Sequence, residues 1–304
     1  MGNTQSKRAI FIAGPTASGK SAVAIAVADS LNGVVINADS MQLYAELRVL
    51  TSRPSAFDEA CVPHRLYGCV RASEVWSAGK WLEAAGAEID AAWAAGKVPV
   101  IAGGTGLYFK ALEQGLSPVP EVPAKVREHW RQRLKAEGPV ILHGELDPAD
   151  AARLKPGDSQ RIVRALEVQK ATGRSLTEHF AMAGEASVLA GVDVGRVALT
   201  PPRAELYNVC DMRFETMMAR GGLDEVERLV ALKLNPDLPA MKAIGVQPLG
   251  AYLKGDMSME DAVALAQRQT RNYAKRQMTW IRNQMSVWPT AETRHQATEV
   301  LLHA

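Results

Sequence analysis

The chain has 304 residues, 47% of them hydrophobic, enough for one large α/β domain or a core with an appendage. Lys and Arg number 35 against 33 Asp and Glu, so a molecule that is polycationic throughout is excluded and any nucleic-acid contact must be a local patch. Cys61, Cys69 and Cys210 stand in no metal-like spacing, which argues against zinc and disulfides and suits a reducing compartment.

No apolar stretch approaches a membrane span, and the first strand is expected so near the start that no signal peptide fits. A cytoplasmic protein away from membranes is expected. Met1, Gly2 and Ser6, followed by Lys7 and Arg8, satisfy a short myristoylation pattern that is common by chance.

The apolar run Ala9 to Ala13 predicts a strand, and Ala22 to Leu31 predicts a helix stopped at Asn32-Gly33. Between them stand Gly14, Pro15, Thr16, Ala17, Ser18, Gly19, Lys20 and Ser21, which fit the phosphate-binding pattern of two glycines separated by four residues before Lys-Ser. In such a loop the backbone N–H groups and the positive helix end surround a phosphate, Lys20 adds a point charge and the Ser21 hydroxyl can ligate Mg²⁺.

A second strand, Val34 to Ala38, delivers Asp39, Ser40, Met41 and Gln42 to the carboxyl edge of the sheet, where α/β folds bind ligands. Asp39 is a site candidate there, although it or Ser40 could simply cap a short helix through Leu43 and Tyr44. Thr51 to Val70 reads as a loop with a short strand near Leu66 to Val70, and Ser77 to Ala95 as a helix anchored in the core by Trp81 and Trp93.

The strand Val98 to Ala102 runs into Gly103, Gly104, Thr105 and Gly106, where many phosphate-loop enzymes place an acidic Mg²⁺ partner. Its absence leaves Asp39 as the carboxylate of that edge. Thr105 can reach the same cavity or cap the following helix.

Proline-rich Ser117 to Pro123 predicts a boundary. Helices are then expected over Ala124 to Glu137, Pro148 to Leu154 and Asp158 to Thr172, an all-helical insertion reaching to about Gly184. Arg161 and Arg164 share a face beside Gln160. Val197 to Leu199 returns to the core, Glu205 to Arg220 is a helix carrying Arg213, and Asp224 to Lys233 is another; Pro236 to Gly250 is turn-rich. On the long helix Met259 to Gln284, Arg268, Arg271, Lys275 and Arg282 form one stripe. Val263, Ala266, Tyr273, Trp280 and Ile281 lie opposite and are expected to face the core. The basic stripe suits a polyanion or is an ordinary solvated face.

Together these pieces resemble the bacterial tRNA dimethylallyltransferases, also called tRNA isopentenyltransferases. The resemblance rests on the loop at Gly14 to Ser21, on Asp39 to Gln42 with Leu43-Tyr44, and on Pro63-His64-Arg65-Leu66 and Gly103 to Tyr108. Further matches are Asp158 to Arg161 with Arg164 to Glu167, Ile244-Gly245, and Thr270 with Lys275-Arg276-Gln277 before Thr279-Trp280. Two stretches depart from the family pattern. Thr51-Ser52-Arg53-Pro54 stands for the usual Gly-Thr-Ala-Lys-Pro, with Arg53 replacing a lysine, and Val246-Gln247 replaces a Tyr-Arg pair and loses a cation.

The resemblance implies an α/β fold: a P-loop NTPase-like core with a parallel sheet flanked by helices, residues 1–116 and 191–304, and an all-helical insertion, residues 117–190, covering the anticodon stem-loop. It implies transfer of dimethylallyl from dimethylallyl diphosphate to N6 of the adenosine 3′ to the anticodon, with Mg²⁺ as cofactor. Asp39 would be the general base and Thr105 a hydrogen-bonding partner of donor or adenine. The loop and Arg213 would hold the diphosphate. Asp39, Ser40, Met41, Gln42, Gln160, Arg161, Ile162, Val163, Arg164, Arg271 and Lys275 would contact tRNA. A monomer is expected. A P-loop small-molecule kinase using ATP and a non-catalytic nucleotide-binding protein are the alternatives.

Overall fold

The computed structural model describes residues 7–117, 119, 121–182 and 187–303. The myristoylation pattern, two of the linker prolines and Gly184 lie outside them. The chain forms two compact units, Met1–Leu112 with Leu189–Ala304, and Glu113–Val188. The insertion therefore starts four residues before the expected boundary at 117 and ends two residues before that at 190.

In the larger unit, β1 (Arg8–Ala13), α1 (Lys20–Ser30), β2 (Gly33–Asn37), α2 (Ala56–Cys61), β3 (His64–Arg65), α3 (Ala78–Ala94), β4 (Val98–Gly103) and α4 (Gly106–Gln114) come first. The smaller unit is helical: α5 (Ala124–Glu137), α6 (Pro139–His143), α7 (Pro148–Arg153), α8 (Ser159–Thr172) and α9 (Leu176–Ala181). The chain returns through β5 (Asp193–Leu199), α10 (Arg203–Ala219), α11 (Gly222–Ala231), a short 3-10 turn, α12 (Val246–Leu253), α13 (Met259–Gln284), β6 (Thr290–Ala291) and α14 (Arg294–Leu302).

The strands form one sheet of order β3-β2-β4-β1-β5-β6, paired in parallel throughout. A parallel sheet must be covered on both faces, and the continuous apolar runs of β1, β2 and β4 provide for that. On one face Ile10, Ile12, Val100 and Val197 pack with Val23 and Val27 of α1 and Ala297 and Leu301 of α14. On the other, Phe11 meets Phe109 of α4 and Trp288 at centroid separations of 5.4 and 5.8 Å. Each such buried aromatic contributes on the order of 2 kcal/mol or more.

Several expectations shift. The strand foreseen over Leu66 to Val70 is His64–Arg65, because Leu66 and Gly68 turn into positive φ (60° and 58°); Val70 makes only an isolated bridge to Tyr44. Trp81 is fully buried, whereas Trp93 is half-exposed, donating its indole N–H to the Arg8 carbonyl at 2.8 Å beneath the Lys7 ammonium. The turn-rich reading of Pro236 to Gly250 holds as far as Gly245, and α12 takes over from Val246.

In the smaller unit, Trp130, Leu142, Ile162, Val163, Leu166 and Val168 form the core. Buried Asp150 accepts the N–H groups of Leu176 and Thr177, both at 2.9 Å, fixing the start of α9. Ile162 and Val163 are therefore core residues and not candidates for RNA contact, since the helix that turns Gln160 and Arg161 to solvent turns them inward.

Candidate active site: a phosphate loop facing a carboxylate

Parallel alignment brings the carboxyl ends of β1, β2 and β4 to one edge, so residues after each strand converge there. The loop after β1 closes onto α1 through Gly19, whose φ of 85° belongs to the left-handed region that glycine enters without strain. Among the described residues the N–H groups of Ala17, Gly19, Lys20 and Ser21 have no acceptor, while the Ser18 N–H meets the Pro15 carbonyl at 3.3 Å and the Thr16 N–H is taken by Gln277. The Ser18 hydroxyl is buried without a partner. Unpaired donors gathered at a helix N-terminus make a receptor for anions.

Lys20 donates to the Pro15 carbonyl at 3.2 Å. Burial pushes its pKa down to about 8, against the pull of Asp39 and with the push of Arg213. Arg213, on α10, is also lowered by burial and also attracted to Asp39, and its Nε donates to the Ser52 hydroxyl at 2.9 Å. Two desolvated cations thus lie in the field of one carboxylate, at the place where the chain offers amide donors.

Asp39 is held from behind. Asn37 is fully buried; its Oδ1 accepts the Asp39 N–H at 2.8 Å, and its Nδ2 donates to the Asp39 and Leu66 carbonyls, both at 2.9 Å. The Trp81 indole donates to the Asn37 carbonyl at 2.9 Å. One Asp39 oxygen accepts the Met41 N–H at 3.0 Å in a local turn, so no helix follows through Leu43 and Tyr44. Burial first, then the Asp39 charge, raises the pKa of Tyr67, Tyr108 and Tyr273 well above the ordinary phenol.

Thr105 joins the two strand ends. Its hydroxyl accepts the Ser40 N–H at 3.0 Å and lies in hydrogen-bonding reach of Tyr273, while its own N–H donates to the Ala38 carbonyl at 3.0 Å. The Gln42 amide donates to the Thr51 and Ser52 carbonyls at 2.8 and 3.1 Å, so its nitrogen shapes the loop that presents Ser52 to Arg213. Arg53 sits against Gly68 and donates to the Tyr44 and Ala45 carbonyls at 3.3 and 3.2 Å.

The donor set fits Mg²⁺ held chiefly by phosphate oxygens and water. Exposed Ser21 has no side-chain partner among the described residues, and no group of three or more His, Cys, Asp or Glu side chains there could hold a metal unaided.

On α13, Arg268, Lys275 and Arg282 are exposed, but Arg271 is not free for RNA: it grips Asp211 of α10 at 2.5 and 2.6 Å. The apolar face is centred on Ala262, Ala266, Ala274 and Ile281, with Val263, Tyr273 and Trp280 only half-buried. Buried at its centre is Gln277, absent from the sequence-based site. Glu225 of α11, also buried and also absent from that site, accepts the N–H groups of Arg48, Val49 and Leu50 at 2.7, 2.7 and 2.9 Å. A polar residue at the middle of an apolar helix face was a legible signal for Gln277; Glu225 had none.

Residues 42–284 match the family model described as IPP transferase. The chain belongs to the IPP transferase family. The IPP transferase match begins at Gln42, so the phosphate loop and Asp39 lie outside it and rest on the geometry above. The chain is similar to the tRNA dimethylallyltransferase of Rhodospirillum centenum, 53% identical over 280 residues, covering 91% of this chain and 89% of the relative. The enzyme of the same name from Rhodopseudomonas palustris is also 53% identical, with the same coverage. Among solved structures, the full-length tRNA isopentenylpyrophosphate transferase of Bacillus halodurans superimposes with a TM-score of 0.70 at 29% identity, over 98% of this chain and 95% of that one. A eukaryotic dimethylallyltransferase acting on tRNA gives a TM-score of 0.77 at 28% identity, over 91% of this chain and 70% of that one. The fold is thus the P-loop NTPase-like one, with helices flanking a parallel six-stranded sheet.

Proposed function

We propose that this chain transfers the dimethylallyl group of dimethylallyl diphosphate to the exocyclic N6 of the adenosine 3′ to the anticodon of tRNA, releasing diphosphate. The observation that carries the reading is the placement of one carboxylate, Asp39, in the field of Lys20 and Arg213 at a loop with four unpaired amide donors. The strand beside the loop ends in glycines where a phosphoryl-transfer enzyme would place a metal-binding acid.

Breaking the donor's carbon–oxygen bond puts negative charge on the diphosphate. The amides of Ala17, Gly19, Lys20 and Ser21, the Lys20 ammonium and the Arg213 guanidinium meet that charge with donors already in place. Ser21 would hold Mg²⁺ against the diphosphate oxygens, and the ion when bound supplies further charge neutralisation there.

The attacking amine is a weak nucleophile and gains acidity as its bond to carbon forms. Asp39, placed beside Lys20 and Arg213, accepts that proton. Asn37 fixes the Asp39 backbone, and Thr105, tied to Ser40 and Tyr273, orients donor or base. The base must leave its stack to reach this edge, which an anticodon loop permits cheaply. Ser40, Met41, Gln160, Arg161, Arg164 and Lys275 are the candidate tRNA contacts, and the protein acts as a monomer.

The test is single-turnover prenylation of an unmodified anticodon stem-loop against one carrying guanosine at the target position. Product from the adenosine substrate alone is expected. Equal product from both would overturn the assignment of N6 as acceptor.

A further inference from the structure

The phosphate loop carries six consecutive amides from Thr16 to Ser21, and two of them are withdrawn from ligand binding by the protein itself. Ser18 turns to the Pro15 carbonyl within the loop. Thr16 is different, because its N–H is taken by a residue from the far end of the chain: the Gln277 Oε1 accepts it at 2.8 Å.

The orientation of that amide group is fixed. Gln277 is buried, 5% exposed, and its Nε2 donates to the Gly104 carbonyl at 3.0 Å, so only the oxygen can face Thr16. Gly104 has to be a glycine for this arrangement, since a Cβ there would stand 2.0 Å from the Gln277 nitrogen. The donors left over lie at Ala17 and at the helix end, Gly19 to Ser21, while the entering arm of the loop presents an acceptor oxygen.

We propose that Gln277 is a specificity-determining residue that restricts the loop to a diphosphate by removing the Thr16 donor and placing a lone-pair oxygen where a third phosphate group would seek one. This rests on the diphosphate reading of the loop and deepens it. Lys20 and Arg213 alone would favour the more highly charged triphosphate, so a preference for diphosphate requires a repulsive element, and Gln277 supplies it.

The experiment measures binding of inorganic pyrophosphate and of inorganic tripolyphosphate by calorimetry, at fixed Mg²⁺ and pH 7, to the full chain and to two variants. Gln277→Met keeps the volume and loses both hydrogen bonds. Gly104→Ala drives the Gln277 amide away while leaving Gln277 in the sequence. The unaltered protein should bind pyrophosphate at least about tenfold more tightly than tripolyphosphate, and either folded variant should reduce that ratio to about one or below. A purely structural role would weaken both ligands in parallel. An unaltered protein without preference, or a Gln277→Met or Gly104→Ala protein that binds both ligands with the original ratio, overturns the proposal while leaving the diphosphate site in place. No pyrophosphate binding by the unaltered protein would overturn the diphosphate reading as well.

Discussion

Donor binding should fall as pH rises past the value at which Lys20 loses its proton. Burial holds that value near 8 in the free protein, and Asp39 keeps it from falling further. If only the ammonium form holds the diphosphate, about nine-tenths of the sites are competent at pH 7 and about one-tenth at pH 9, and affinity drops roughly tenfold for each further pH unit. The last ionisation of a prenyl diphosphate, near pH 6 as for other terminal phosphates, is already about nine-tenths complete at pH 7, and its remainder would strengthen binding as pH rises and so cannot cause the fall. Folding runs the other way. A lysine whose folded pKa is depressed from 10.5 to about 8 gives up its proton in the folded state first, so the stability this group contributes rises between those two values. Weaker binding together with a steadier fold cannot be mistaken for alkaline unfolding. Titration of dimethylallyl diphosphate between pH 7 and 9.5, in two buffers of different ionisation enthalpy, should show proton uptake on binding, while Lys20→Arg should bind with no pH dependence. Asp39→Asn should move the inflection down and Arg213→Met should move it up. Affinity that stays flat from pH 7 to 9, or that falls equally in Lys20→Arg, would refute the argument.

Asp39→Ala should lower the single-turnover rate by about 10² to 10⁴ with little change in tRNA affinity, and a near-normal rate would remove Asp39 from the mechanism. Glu225→Ala strands three backbone N–H groups in a buried place and should cost about 3 kcal/mol or more by denaturant unfolding, with a raised donor KM because Ser52 and Arg213 depend on that loop. Lys275→Glu should flatten the salt dependence of tRNA binding by about one unit of slope. Arg271→Ala should leave that slope unchanged and cost about 1 kcal/mol of stability through lost pairing with Asp211, as read by thermal melting.

The candidate site residues legible from sequence were those whose placement is written in contiguous chain. The loop from Gly14 to Ser21 needs only a strand before it and a helix after it, and Asp39 needs only to end the next strand. Thr105 follows from the same logic at β4. What escaped was set by partners distant in sequence. Arg271 does lie on the charged side of α13, yet α10 packs along that flank and brings Asp211 to it. Ile162 and Val163 were carried into the site with their motif, although the helical period that exposes Gln160 and Arg161 sends them into the core. Gln277 lies only about 20° from Ala266 at the helical period, in the middle of the packing face, and its polarity there was the sign of a bond to the loop. Glu225 bonds a segment some 175 residues earlier, and nothing local to it could reveal that.

The central claim is that the loop serves a prenyl diphosphate and not ATP. The full chain is incubated with Mg²⁺, unmodified tRNA and equal concentrations of dimethylallyl diphosphate, labelled in its alkyl group, and ATP, labelled in its terminal phosphate. Alkyl label should enter the tRNA adenosine and no phosphate label should reach tRNA or nucleoside. Phosphate transfer from ATP without alkyl transfer would contradict the account.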